Sequence, residues 1–381
     1  MRIGLTPSQV ASLSGITAGQ VEAWESCQAA PELADLEVLA ELYLCPVGYF
    51  FLDDPPPEEV PLDFRGLAPE KSGVLSYETN YNLRHFVRLV EYASTLVRSL
   101  GLEWTVTLGD ARIDDPVEDI AKAQRAGLGA TLENRRKWAS ANEAFQFWRR
   151  AIEDAGVFVF SLKLDPKDVR GASYWAAPSL PAILVNRADA EASTGRTFTL
   201  LHEWAHLLIK EQGVVCDFRG AQEHAGAERF ANALAAEMIL PRDEFEAHVR
   251  KENLYGYRDS WGDQLIDRAR TPFRVSRDVV AVLLEDLELA PRGFYRRKRA
   301  AWEQRSQFFA RVAKAGSRQG MTKSLRKLNE FGLSMSKLVT AGYQRGAVST
   351  VSLADLLDMK IERAQKFADW VASGAREQEA P

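Results

Sequence analysis

The chain has 381 residues, of which 46% are hydrophobic and 27% are charged, and its formal net charge is −5. This composition excludes wholesale disorder, and no apolar run approaches the roughly 20 residues that a membrane helix needs. Cys27, Cys45 and Cys216 are far apart and odd in number, which argues against a disulfide framework. We therefore expect a cytoplasmic protein of two or three domains that has no contact with a membrane.

The predicted elements begin with short helices and continue through a proline-rich linker into longer helices. Residues 6–51 are typical of short helices separated by tight turns, and four prolines within residues 55–61 indicate a semi-rigid linker. The next amphipathic helix patterns lie at residues 77–100, 116–127 and 139–155. Strands are predicted at residues 157–162 and 182–185, and helices resume near Thr197. The predicted parts are a helical module at 1–54, the linker at 55–61, a central domain at 62–290 and a basic helical module at 291–381.

The charges are divided unevenly along the chain. Residues 1–60 hold one basic and ten acidic residues, a net charge of −9, whereas residues 291–345 hold fourteen basic and two acidic residues, a net charge of +12. Nucleic acid is therefore a candidate partner of the basic C-terminal module, and so is the acidic module of the same or a neighbouring chain. Within the C-terminal module, residues 352–366 also resemble, weakly, a helix-turn-helix.

The segment HEWAH at residues 202–206 places three titratable side chains in an otherwise apolar run. On a helix, His202 and His206 lie one turn apart on the same face, with Glu203 beside them. Burying these groups without partners would cost several kcal/mol, and a metal ion bound by both imidazoles would remove that cost. His-Glu-x-x-His is a zinc-peptidase signature because the histidines supply two ligands and the glutamate takes a proton from water. The alternative is a pair of core histidines bonded to backbone carbonyls.

A catalytic zinc site needs a third protein ligand, which a second predicted helix at residues 227–237 supplies. We predict Glu228 as this ligand, because it shares a helix face with Asn232 and the other faces are apolar. His224, four residues earlier, is the rival candidate. Glu237 is predicted either to contact a metal ligand without binding the metal itself or to lie at the surface.

These motifs together resemble those of the ImmA/IrrE metallopeptidases. RTFTLLHEWAH at residues 196–206 resembles the family's R-x-F-T-L-x-H-E-x-x-H core, and ERFANALAAEMILP at 228–241 resembles its E-x-x-A-N-x-F-A-A-E-L-L-x-P segment, with Leu234 in place of Phe. FRVS at 273–276 is similar to a later helix start in the family. The resemblance covers about residues 62–300.

The resemblance implies that His202, His206 and Glu228 bind Zn²⁺ and that Glu203 is the general base. It also implies a zinc-dependent endopeptidase that makes limited cuts in a transcriptional repressor, in stress, prophage or mobile-element control. We expect an α+β, mostly α fold, in which helical modules flank a zincin-like core with a small antiparallel sheet. Tyr174, between the two predicted strands, is a candidate for stabilising the oxyanion, the alternative being an aromatic cover of the core.

Residues 5–25 resemble an Xre-type helix-turn-helix, in which Gly15 makes the turn and residues 17–25 form the recognition helix. This helix has no Lys or Arg, and the module is acidic, so we expect it to dock onto protein rather than read DNA. Two further functions stay open: a transcription factor that uses the peptidase fold as a sensor, and a toxin or phage-defence component. The oligomeric state also stays open.

Overall fold

The structure is a computed structural model, and it describes residues 5–43, 45–54, 75–165, 168–176, 180–188, 192–210, 215–216, 225–254, 260–302 and 321–375. The proline-rich linker predicted at residues 55–61 and the rival ligand His224 lie outside the described residues. None of the described helices is both long enough and apolar enough to cross a membrane.

The N-terminal module consists of short helices with clear start signals. The elements are α1 (Pro7–Ser14), α2 (Ala18–Glu25), α3 (Leu33–Tyr43) and a 3-10 helix (Val47–Phe51). Thr6 and Thr17 accept hydrogen bonds from the third residue of α1 and of α2, and each forms a capping box with a glutamine. Gly15 has a φ of +78°, so it makes the predicted turn after α1. The module has a small core of its own, formed by Val10, Ile16, Val21 and Leu39.

The remaining elements are helices and four short strands. In chain order they are α4 (Tyr77–Ser99), α5 (Val117–Gly127), α6 (Leu132–Arg136), α7 (Ala141–Asp154), β1 (Phe158–Leu162), β2 (Gly171–Ala176), β3 (Leu180–Asn186), α8 (Ala192–Leu208), β4 (Val215–Cys216), α9 (Ala225–Ile239), α10 (Arg242–Lys251), α11 (Asp263–Arg270), a 3-10 helix (Thr271–Phe273), α12 (Arg277–Asp286), α13 (294–302), α14 (Lys323–Gln344), α15 (Thr350–Leu357) and α16 (Ile361–Ala372). The predicted fold class, α+β and mostly α, is confirmed.

The sheet is mixed rather than wholly antiparallel, which corrects the sequence-based expectation. Its strand order is β1-β3-β2-β4, and β1 runs parallel to β3 while the β2–β3 and β2–β4 pairs are antiparallel. The difference arises because β2, which the sequence analysis left between two strands, is itself a strand. It forms an antiparallel hairpin with β3, so β1, on the other side of β3, runs in the same direction as β3.

The two faces of the sheet belong to two different cores. Side chains alternate between the faces along each strand, so Val159, Ile183 and Val185 face an inner core with α5 and α7–α13. Phe160 and Leu184 face an outer core that they share with α4 and α14–α16. The helix with the His-Glu-x-x-His motif lies on the inner face.

The C-terminal helices pack directly on the sheet. Phe331 and Met335 of α14 are buried in the outer core, and Phe331 meets Phe160 edge to face. Arg149 of α7 donates a hydrogen bond to the carbonyl oxygen of Asn329 at 2.7 Å. The boundary predicted between residues 290 and 291 therefore does not coincide with a break in the packing. The weak helix-turn-helix pattern at 352–366 corresponds to α15 and α16, and DNA binding by these helices stays a prediction.

Candidate active site

Helix α8 carries three polar side chains into the inner core. His202, Glu203 and His206 have no exposed surface. The helix is almost wholly buried because apolar side chains cover its other faces; these are Leu200, Leu201, Trp204, Ala205, Leu207 and Leu208. Polar groups at this depth need partners, and the partners come from the next long helix.

Helix α9 packs against α8 and brings Glu228 to the two histidines. Ala231 and Ala235 are fully buried in the same core, and their small side chains allow the two helices to approach closely. Glu228 lies in the first turn of α9 and is 8% exposed. A carboxylate is favoured in the first turn of a helix because the backbone N–H groups there carry partial positive charge.

The three side chains converge on one point. The Nε2 atoms of His202 and His206 are 3.1 Å apart. The Glu228 carboxylate lies 3.4 Å from His202 Nε2 through Oε2 and 3.5 Å from His206 Nε2 through Oε1. The structure thus brings together the three residues that the sequence analysis selected as metal ligands.

Burial and the hydrogen bonds within the cluster set the protonation of these groups. It lowers the pKa of His202 to about 4, although the hydrogen bond with Glu228 opposes the shift. Burial alone would raise the pKa of Glu228, but its hydrogen bonds with both histidines outweigh this and hold the pKa below its usual range. At neutral pH His202 is therefore neutral and Glu228 is ionised. These are the forms that bind a metal ion.

The three residues fit a tetrahedral divalent ion with imidazole and carboxylate ligands. Ligand atoms about 2.0–2.1 Å from a tetrahedral zinc ion stand about 3.3–3.4 Å apart. The ligand-atom separations of 3.1, 3.4 and 3.5 Å agree with that spacing. All three residues are buried, and two nitrogen ligands with one oxygen ligand are a donor set that zinc accepts.

Glu203 lies beside the cluster and against the backbone of β2. A Cβ atom built on Gly171 would be 2.7 Å from Glu203 Oε1 and 2.6 Å from Thr199 Cγ2. Only a glycine therefore lets β2 pass this close to α8 at the predicted general base. This role of Gly171 was not predicted from the sequence. A glycine inside a recognised strand would have been the signal for a close approach.

Tyr174 does not lie in the site, so its predicted role in stabilising the oxyanion is wrong. It is on β2, and its ring meets that of Phe86 on α4, at a centroid distance of 6.3 Å, in the outer core. Gly171 is three residues earlier on β2 and therefore faces the opposite side, toward α8. Burial raises the pKa of the Tyr174 hydroxyl, as expected for a ring that covers the core.

Glu237 supports the end of α9 rather than the cluster. Both of its carboxylate oxygens accept from the backbone N–H of Arg242 at 3.3 Å, at the first residue of α10. Arg125 of α5 donates to the Glu237 carbonyl oxygen at 2.6 Å. Glu237 therefore joins α9 to α5 and α10, which fixes the helix that carries Glu228.

Comparison with known proteins agrees with the geometry. Among curated proteins, none matches the chain. Residues 152–285, which include the end of α7, the sheet and α8 to α12, match the M78 peptidase family model, described as the IrrE N-terminal-like domain. This match supports the resemblance to the ImmA/IrrE family for the segment that holds the site, and with it a metallopeptidase-family function.

Proposed function

We propose that the protein is a zinc-dependent endopeptidase that makes limited cuts in a regulatory protein, a transcriptional repressor. The observation that carries the proposal is the convergence of His202, His206 and Glu228 in a buried cluster with Glu203 beside it. The family match supports a peptidase-family function for the segment that contains these residues. The repressor as substrate rests on the resemblance to the ImmA/IrrE family.

In peptide hydrolysis, three of these residues would bind the metal ion and the fourth would transfer protons. His202, His206 and Glu228 would hold the zinc ion, which supplies Lewis-acid polarisation of the scissile carbonyl and makes water a better nucleophile. Glu203 accepts the proton of the attacking water and passes it to the leaving amine. Gly171 keeps β2 against Glu203 and so limits where the carboxylate can move.

Retention of the base favours a peptidase over a sensor that has lost catalysis. A metal site that only reports on a ligand needs His202, His206 and Glu228 but not Glu203. Taking a carboxylate out of water is costly for stability whether or not the group acts in catalysis, so a protein that only senses a ligand gains nothing from keeping it there. Glu203 has no exposed surface, so its presence is best explained by the reaction.

The test combines metal analysis with cleavage. Purified protein should contain one zinc ion per chain, and His202→Ala should lose the ion. Glu203→Gln keeps the shape of the side chain and should retain the zinc while abolishing cleavage of the repressor encoded beside the gene.

Two results would contradict the proposal. Full zinc content in His202→Ala would mean that the ion is bound elsewhere. Cleavage by Glu203→Gln within a few-fold of the unmodified protein would mean that Glu203 is not the base. If zinc binds as expected but the repressor stays intact, the metal site stands and the assignment of the substrate fails.

A further inference from the structure

The N-terminal module presents an acidic and apolar helix face to solvent. Residues 5–54 contain eight carboxylates and no Lys, Arg or His, so none of these carboxylates can form an ion pair within that segment. On α3, the buried side chains are Leu36, Leu39 and Ala40. The opposite side of α3 exposes Leu33, Glu37, Val38 and Glu41, which we call the α3 outer face.

The α3 outer face has the features of a docking surface. Leu33 is 59% exposed and Val38 is 39% exposed, although both sit in an ordered helix with a packed inner side. Residues 33, 37 and 41 are each four apart, so they form one stripe along the helix. A surface that combines unpartnered aliphatic side chains with carboxylates fits a partner that offers both arginines and small apolar residues.

Helix α13 offers this complement. Its inner side is anchored by Phe294, which is buried in the inner core. Its outer side exposes Arg296, Arg297, Ala300 and Ala301, which we call the α13 outer face. The two alanines lie one turn beyond the two arginines on the same side of the helix. The surrounding residues 291–345 carry a net charge of +12, against −9 for residues 1–60.

The two faces belong to opposite layers of one chain. The hydroxyl of Tyr77, at the start of α4, donates to the carbonyl oxygen of Leu42 at 3.2 Å, which ties the module to the outer layer. Helix α13 packs in the inner layer, across the sheet. A contact between the faces within one chain would have to break this link.

We propose that the α3 outer face docks onto the α13 outer face of a second copy of the chain. Two copies related by a twofold axis form this contact twice, which closes the assembly as a dimer. The contact places Glu37 and Glu41 against Arg296 and Arg297, and Leu33 and Val38 against the alanines. It also assigns the acidic helix-turn-helix-like module to protein assembly rather than to DNA.

Sedimentation velocity on the full chain tests the proposal through charge reversal. We expect a dimer at about 50 mM salt that dissociates toward about 500 mM, because salt screens exposed charge pairs. Glu37→Lys/Glu41→Lys and Arg296→Glu/Arg297→Glu should each raise the dimer dissociation constant at least about tenfold. Combining all four substitutions should restore the dimer, since the charges are then exchanged across the contact.

Arg363→Glu/Lys366→Glu is the matched control, because both residues are exposed on α16 and the charge change is the same. It should leave the dimer intact, and thermal melting should show that every variant is folded. A monomer at low salt in the unmodified protein would overturn the proposal. So would a dimer that survives Arg296→Glu/Arg297→Glu, or a four-fold variant that stays monomeric.

Discussion

Replacing Glu153 by glutamine should change how the stability of the protein depends on pH. Glu153 lies in the last turn of α7, buried where α7, β1 and α14 meet. The backbone N–H of Ser334 donates to its Oε1 at 3.5 Å. Gly332 breaks α14 with a φ of +76°, and a Cβ atom there would overlap the same oxygen. The carboxyl group therefore caps the second half of α14 in a space that water does not reach.

The size of the effect follows from the pKa of this group. Burial raises the pKa of Glu153 from 4.5 to about 7, although Arg149 and the backbone N–H groups of α14 oppose the shift. The folded state thus holds a proton that the unfolded state releases. Its stabilising contribution is complete below pH 4.5 and is lost as the pH rises through about 7. The shift corresponds to about 3 kcal/mol in total, of which about 2 kcal/mol falls between pH 5.5 and 7.5.

Two histidines, the buried His202 and the half-buried His85, act in the opposite direction, so the comparison must be between variants. Burial lowers the pKa of His202 and of His85 to about 4, and the stability that these groups contribute rises as the pH increases from about 4 to 6.5. These contributions are the same in the unmodified protein and in Glu153→Gln. The difference between the two proteins therefore isolates Glu153.

Urea unfolding at pH 5.5, 6.5 and 7.5 measures this difference. Relative to the unmodified protein, Glu153→Gln should gain about 2 kcal/mol between the first and last pH, because an amide cannot release a proton. Asp154→Asn is the control, since Asp154 is the exposed neighbour on the same helix. The reasoning is refuted if Glu153→Gln follows the same pH dependence as the unmodified protein, or if Asp154→Asn alters it equally.

Two further predictions concern the active site and nucleic acid. Gly171→Ala should keep the metal but slow cleavage at least about tenfold, because the new methyl group displaces Glu203 from its position against β2. Gly127→Ala is the control, since Gly127, like Gly171, has no positive φ but has no atom within 4 Å of the added Cβ. Equal losses of activity in both variants would remove the special role of Gly171. Residues 1–60 alone should not bind duplex DNA, and any binding by the full chain should map to residues 291–345 and weaken with salt. Gel shifts at two salt concentrations on the chain and its truncations would reveal tight binding by residues 1–60, which would restore the transcription-factor hypothesis.

Much of the candidate metal site could be predicted from the sequence because its geometry is local. His202 and His206 are one helical turn apart, and apolar residues at the remaining positions of the segment identify a buried helix. The role of Glu228 was more difficult to predict, since its distance to the histidines depends on how α9 packs against α8. The helix pattern placed the rival His224 on the same side as Glu228, four residues earlier, and the structure brings Glu228 to the histidines.

Tyr174 and the C-terminal helices show what local patterns leave out. Alternation along a strand assigns residues to two faces but does not say which face the catalytic helix covers, and β2 was not recognised as a strand. Similarly, the sequence predicted a basic helical module at residues 291–381, but not that Phe331 of α14 packs on Phe160 of the sheet. Both outcomes depend on contacts between residues that are distant in sequence.

The packing of α14 bears on where a substrate can bind. Extended peptides commonly bind enzymes by adding a strand to a sheet edge. At the β1 edge, Arg149 donates to the carbonyl oxygen of Val159 at 2.6 Å and α14 covers the strand, so this edge is closed. At the other edge, β4 pairs only with Gly171 and Ala172. Among the described residues, the rest of β2 has no strand on that side. This open part of the strand follows Gly171, where the backbone of β2 passes close to Glu203. We therefore expect a substrate peptide to pair with residues 173–176 of β2 and to extend from there toward Gly171, which lies against Glu203.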